Sequence, residues 1–147
     1  LGNYYLSHFV VNGNWQYNQK PFIDNIIFNA PAIRTKEHGE VLSLLNIAER
    51  KYVALNENDR VLRGAHLLTS GRMLGNIVMQ PKADNCTYIH FTDIANKQHT
   101  YFAGYHDFEY NNTSVYLFYN TLIQGGEMDF DQKLYEPTAP NEYFIRP

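Results

Sequence analysis

Aromatic and amide side chains are the chain's main candidates for chemistry. Trp15 and Tyr17, Tyr88 and His90, Tyr101 and Tyr105, and Tyr116 and Asn120 stand two or four positions apart. In an extended strand that even spacing keeps both members of a pair on one face. A sugar rests its apolar C–H surface on aromatic rings and needs donors and acceptors such as Asn, His and Tyr for its hydroxyls. These eight residues are therefore the candidate ligand-binding set, with Trp15 its leading anchor. The competing explanation is that Tyr and Phe favour strands and simply cover a core.

Other chemistries find less support in the spacing. The six His residues form no recognised metal signature, so no metal and no cofactor is expected. Glu127, Asp129 and Asp131 alternate with Met128 and Phe130, and a strand there would project three carboxylates from one face. Calcium binding or a paired-carboxylate glycosidase would need further groups, whereas a solvated edge that discourages sheet association needs none. Gly71, Gly75, Gly125 and Gly126 fit turns or bulges, since no Gly-Lys-Ser/Thr ending marks a phosphate loop. Cys86 is the only cysteine, which excludes an intrachain disulfide and reads as a small buried side chain. Asn85-Cys86-Thr87, Asn111-Asn112-Thr113 and Asn112-Thr113-Ser114 match the N-glycosylation acceptor pattern.

Composition bounds the partners. The 147 residues read as a single domain, 1–147, large enough to bury a core unaided. A net charge of -3 and a pI near 6.0 lack the basic footprint of a nucleic-acid binder. No apolar run reaches the roughly 18 to 20 residues that span a bilayer, so no direct membrane insertion is expected. Leu1 in place of Met suggests a fragment or processed product, with the rest of a larger protein as one partner.

The elements that must position the candidates read as strands around one helix. Val41, Leu44, Leu45, Ala48, Tyr52 and Leu55 recur at spacings of three and four, predicting a helix over 40–55. Strands are predicted at 4–11 and 15–18, joined by an Asn12-Gly13 hairpin turn, and at 22–28. Further strands are expected at 61–69 and 72–80 as a hairpin, then at 86–92, 99–105, 115–123 and 127–131, with 143–145 docking as a terminal strand. The fold class is α+β, a curved antiparallel β-sheet packed around one main α-helix. A lipocalin-like barrel with the helix outside is the structural alternative.

With its length, Asn- and Tyr-rich strands, lone helix and C-terminal Tyr143-Phe144-Ile145-Arg146-Pro147, the chain resembles the glycan-binding head of a rotavirus outer-capsid spike. The familiar heads are galectin-like β-sandwiches, so the predicted helix points to the divergent group B type. No family binding residue transfers by motif. The resemblance implies a lectin-like, non-enzymatic domain on the virion surface. It would bind host cell-surface glycans containing galactose or N-acetyllactosamine during viral attachment and host cell entry. Outside a virion, a secreted or extracellular setting is expected. The alternatives are a lipocalin-like carrier of a small apolar ligand and, ranked last, a small hydrolase.

Overall fold

Tyr52, Val53, Ala54 and Leu55 are apolar at four consecutive positions, so a strand containing them must bury side chains toward both faces of a sheet. The computed structural model describes residues 2–12, 20–68, 71–102 and 113–146. Within them Ala48–Leu55 forms strand β2, with these four side chains buried. Strands β1 (Ile23–Asn29), β3 (Thr87–His90), β4 (Tyr135–Ala139) and β5 (Glu142–Ile145) complete a five-stranded sheet of order β1-β2-β3-β5-β4. Neighbours β1, β2, β3 and β5 run parallel, and only the β4–β5 pair is antiparallel.

Parallel neighbours need long crossovers, and here these carry helices onto both faces. Helix α1 (Gly2–Asn12) precedes β1, and α2 (His38–Leu44) lies between β1 and β2. Helix α3 (Arg60–Leu68) follows β2, while α4 (Thr92–Ala95) and α5 (Thr113–Ile123) lie between β3 and β4. Tyr52, Ala54, Ile89 and Phe91 share one core with Leu62 of α3, Ile94 of α4, and Phe118 and Leu122 of α5. Their strand neighbours Val53, Leu55 and Tyr88 share the opposite core with Val10 of α1 and Val41 and Leu42 of α2. Period-two alternation thus feeds two cores instead of one core and solvent.

A hydrogen-bonded chain threads the second core. The Ala83 N–H donates to Tyr88 Oη at 2.9 Å, and Tyr88 O–H donates to His38 Nε2 at 3.0 Å. His38 Nδ1–H then donates to the Thr35 carbonyl. The Thr35 carbonyl can only accept, so Nδ1 carries a proton, and in the neutral ring Nε2 is left to accept the Tyr88 O–H. Burial holds the His38 pKa below its ordinary value, the Thr35 carbonyl opposes that shift, and the Lys82 charge adds to it.

The chain is α+β with a sheet, as expected, but the sheet is mostly parallel and no single helix dominates it. The predicted helix 40–55 divides: its first part is α2 and its second is β2. Helical spacing is real in α2, where Val41 and Leu42 stand three and four residues after buried His38 and are buried with it, while Leu45 is the extended residue that ends the helix. The continuous apolar run 52–55 instead serves a strand covered on both sides. The predicted strand 4–11 falls in α1, where Leu6 and Val10, four residues apart, reach the same core. Asn12 closes that helix, donating to the His8 carbonyl at 2.9 Å, while Gly13 and the predicted strand 15–18 lie outside the described residues.

The predicted hairpin of 61–69 with 72–80 is absent among the described residues. Asp59 starts α3 there, and 71–80 makes turns with one isolated bridge, Arg34 to Met73. The predicted strand 115–123 is α5, whose buried Ser114, Val115, Phe118 and Leu122 keep a helical stripe. Residues 127–131 form no strand, and Asp129 Oδ1 instead accepts the Asp131 N–H at 3.1 Å in a local turn. Residues 99–102 also form no strand, and 103–105 lie outside the described residues. The expected strands 22–28, 86–92 and 143–145 contain most of β1, β3 and β5. Among the described residues, no helix is long and apolar enough to cross a membrane.

Candidate functional site

In open parallel sheets, ligands collect beyond the carboxyl ends of the strands, where crossover loops converge. Here the segment 72–77 crosses that edge, sending Met73 into one core and Leu74 into the other. Its backbone is tied to both neighbouring loops. Leu74 N–H donates to Ile33 O at 2.8 Å, Gly75 N–H to Pro31 O at 2.9 Å, and Asn56 N–H to Gly75 O at 2.8 Å.

Short polar side chains lock the turn after β2. The Asn56 amide donates to Asn96 O and Gln98 O at 2.9 and 2.8 Å, while its Oδ1 accepts the Asn58 N–H at 3.0 Å. Buried Asp59 caps α3, its Oδ1 accepting the Val61 and Leu62 N–H groups at 2.8 and 3.0 Å. Its Oδ2 takes the His99 Nδ1–H at 2.6 Å. Asn76 Nδ2 donates to Asn56 O at 2.9 Å and joins this turn to the 72–77 segment.

Two cavities open beside this framework. The first, about 370 Å³, is lined by Glu57, Arg63, His66, Arg72, Asn76 and neighbouring apolar atoms. The second, about 330 Å³, has Arg34, Thr35, Lys36, Glu37, His66 and Arg72 in its wall. His66 and Arg72 border both. The Thr35 N–H bond to Arg72 O, at 2.9 Å, and the Arg34–Met73 bridge bring Arg34, Lys36 and Arg72 together.

Their counter-charges are few. Arg34 Nη1 lies 3.4 Å from Glu37, and among the described residues Arg63 donates only to neutral oxygens, the Glu57 backbone carbonyl and Asn58 Oδ1. Glu57 Oε1 lies 3.3 Å from His90 Nδ1. Among the described residues no carboxylate pairs with Lys36, Arg63 or Arg72. Arg guanidinium groups donate to phosphate, sulfate or carboxylate oxygens.

The aromatic and amide candidates do not gather here. Tyr88 is buried in the second core, where burial pushes its phenol up despite the Ala83 N–H bond. Buried His90 stacks on Phe144 at 4.2 Å and donates from Nε2 to Glu142 Oε1 at 2.8 Å. The expected open face of β3 is thus a second buried face. Tyr101 is buried against Phe91, and burial, then the Asp59 charge, raise its phenol. Tyr116 and half-buried Asn120 belong to helix α5 and to no strand, and Tyr116 is exposed. Trp15, Tyr17 and Tyr105 lie outside the described residues.

Among the described residues no three His, Cys, Asp or Glu side chains gather into a metal-holding set. Burial pushes the Cys86 thiol up to about 12 despite the nearby Lys51 charge, which suits a packing role. Sequence reasoning missed the cationic groove because Arg34, Lys36, Arg63, His66 and Arg72 come from three separate segments. The readable signal was Asp59 ahead of Val61 and Leu62, an N-cap that announces α3. Comparisons of the chain with protein-family models, with curated proteins and with solved structures found no match in any of the three.

Proposed function

We propose that this protein recognises a small anionic ligand carrying phosphate or sulfate groups, held in the paired cavities at the carboxyl end of its sheet. The observation that carries this reading is charge placement. The whole chain is acidic, at -3, yet the two cavity walls gather Arg34, Lys36, Arg63 and Arg72 against Glu37 and Glu57. Adjoining cavities that share His66 and Arg72 suit an extended ligand with more than one anionic group. Their size matches ordinary small-molecule sites.

The test is calorimetric titration of the whole chain with inorganic pyrophosphate, a sulfated disaccharide and neutral N-acetyllactosamine. Either anion is expected to bind with an affinity that falls as salt rises, and the two arms separate phosphate from sulfated sugar. Arg72→Ala should weaken binding about tenfold or more, from loss of a charge-assisted hydrogen bond of roughly 1.5 to 3 kcal/mol. Absence of binding by both anions at millimolar concentration rejects the reading.

A second reading keeps the chain as a host-glycan recognition domain of a viral attachment spike, taking galactose- or N-acetyllactosamine-containing glycans. Its support is Tyr116 and Asn120, one helical turn apart on α5 with the ring open to solvent. A glycan array on the chain and on Tyr116→Ala tests it. Binding of neutral glycans that the variant loses favours this reading over the anionic one.

A further inference from the structure

Helix α5 has no charged residue in its 11 positions, a composition that suits a helix buried on every side. Its inner stripe is buried, yet Tyr116 is 66% exposed and Ile123 76% exposed, with Leu117 beside them at 44%. The apolar surface continues past the helix. Asn25 Nδ2 donates to Leu122 O at 2.9 Å and to Gly126 O at 2.7 Å, which seats the end of α5 beside the start of β1. Phe22, 71% exposed, and Ile23 stand there.

Carboxylates rim this surface. Exposed Asp24 borders Gly125, where an added Cβ would lie 2.8 Å from its Oδ2, and exposed Glu127 follows Gly126. Glu49 lies 3.7 Å from Arg50. The Arg50 guanidinium is turned to the protein itself, donating to Asn25 Oδ1 at 2.7 Å and Gly125 O at 2.9 Å. Lys20, two residues before Phe22, is the other cation of this stretch.

We propose that the α5–β1 face docks an amphipathic, basic segment of a partner protein, an apolar ridge flanked by Lys or Arg. The ridge covers Tyr116, Ile123 and Phe22, and its flanking cations meet Asp24, Glu49 and Glu127. Charge complementarity selects this occupant over a second copy. A two-fold contact through the same face would bring two carboxylate-rich rims together, six carboxylates offset only by the two copies of Lys20 and Arg50, which costs affinity. Apolar burial at the centre with a charged rim is the usual division of labour in such contacts.

The experiment selects helical peptides from a displayed library on the whole chain, then measures one synthesised winner by fluorescence anisotropy. Winners are expected to carry an apolar ridge at helical spacing with basic flanks. Ile123→Ser with Tyr116→Ser should weaken the peptide about tenfold or more, the scale of central interface residues, with an unchanged melting curve. Asp24→Lys with Glu127→Lys should shift selection toward acidic flanks and serves as a separate arm at the rim. The proposal is overturned by no enrichment, by winners without basic flanks, or by binding that ignores both variants. Concentration-dependent self-association in sedimentation that Ile123→Ser removes overturns it too.

Discussion

Removing one buried oxygen tests the polar chain through the second core. Tyr88→Phe keeps the ring and deletes the hydroxyl that accepts the Ala83 N–H at 2.9 Å and donates to His38 Nε2 at 3.0 Å. Ala83 and His38 are both buried, so water has little access to replace it. A buried donor or acceptor left without its partner costs roughly 1 to 3 kcal/mol, and two are left here, so the expected loss is about 2 to 5 kcal/mol after partial relaxation. With a urea slope of roughly 2 kcal/mol per molar, the middle of the usual range, the unfolding midpoint should fall by about 1 to 2.5 M. Tyr116→Phe supplies the contrast, because its exposed hydroxyl should matter by less than about 0.5 kcal/mol. Equal midpoints for Tyr88→Phe and the parent, at equal slope, would refute the hydrogen-bond chain and with it the neutral tautomer assigned to His38.

The same chain predicts a pH response. His38 has a folded pKa below 6.5, so its contribution is full above pH 6.5 and is lost as pH falls through the lower folded value. His38→Gln should flatten that part of the midpoint-against-pH curve. Burial pushes the Glu142 carboxyl up, but hydrogen bonds from Lys82 and His90 and their charges outweigh it and leave the pKa below 4.5. Its contribution is therefore present above pH 4.5 and lost below, and Glu142→Gln should remove that acid limb from the same titration. Gly75→Ala places a Cβ 2.6 Å from the Ala30 carbonyl carbon and 2.8 Å from Pro31 N. The strain should cost about 1 to 3 kcal/mol in urea unfolding and loosen anion binding in calorimetry. Leu45→Ala empties a buried site and should cost about 2 to 5 kcal/mol, seen as a lower midpoint with the slope preserved.

The strands the sequence showed best are those whose side chains leave no helical alternative. Ile23 and the run Ile26, Ile27 and Phe28 follow Pro21 and stop at Ala30-Pro31, and they supply four of the seven residues of β1. Thr87 to His90 is equally legible. Misreadings arose where one pattern serves two periods. Spacings of three and four across 40–55 satisfy a helix stripe, while the even and odd positions of 52–55 satisfy two sheet faces. Nothing within that window decides between them. The decision comes from α1 and α2 packing on one face and α3, α4 and α5 on the other, which are contacts with distant segments. The aromatic run of α5 misled in the opposite sense, since Tyr and Phe favour strands intrinsically, yet burial of 114, 115, 118 and 122 follows a helix.

The candidate site was less legible because its cations share no local spacing. Lys36 follows β1, Arg63 lies on α3 and Arg72 stands on the crossing segment, with the His66 imidazole beside them. Only the parallel arrangement of β1, β2 and β3, with its loops converging at one end, brings them together. An antiparallel meander would scatter the same loops over both ends of the sheet. The change of topology therefore also changes where function is sought, from the aromatic faces of strands to the carboxyl edge. It explains why Tyr88 and His90 serve packing and internal hydrogen bonds. A central strand covered by helices offers no side chain to a ligand except at its end, and there the loops gather Arg34, Lys36, Arg63 and Arg72 against Glu37 and Glu57.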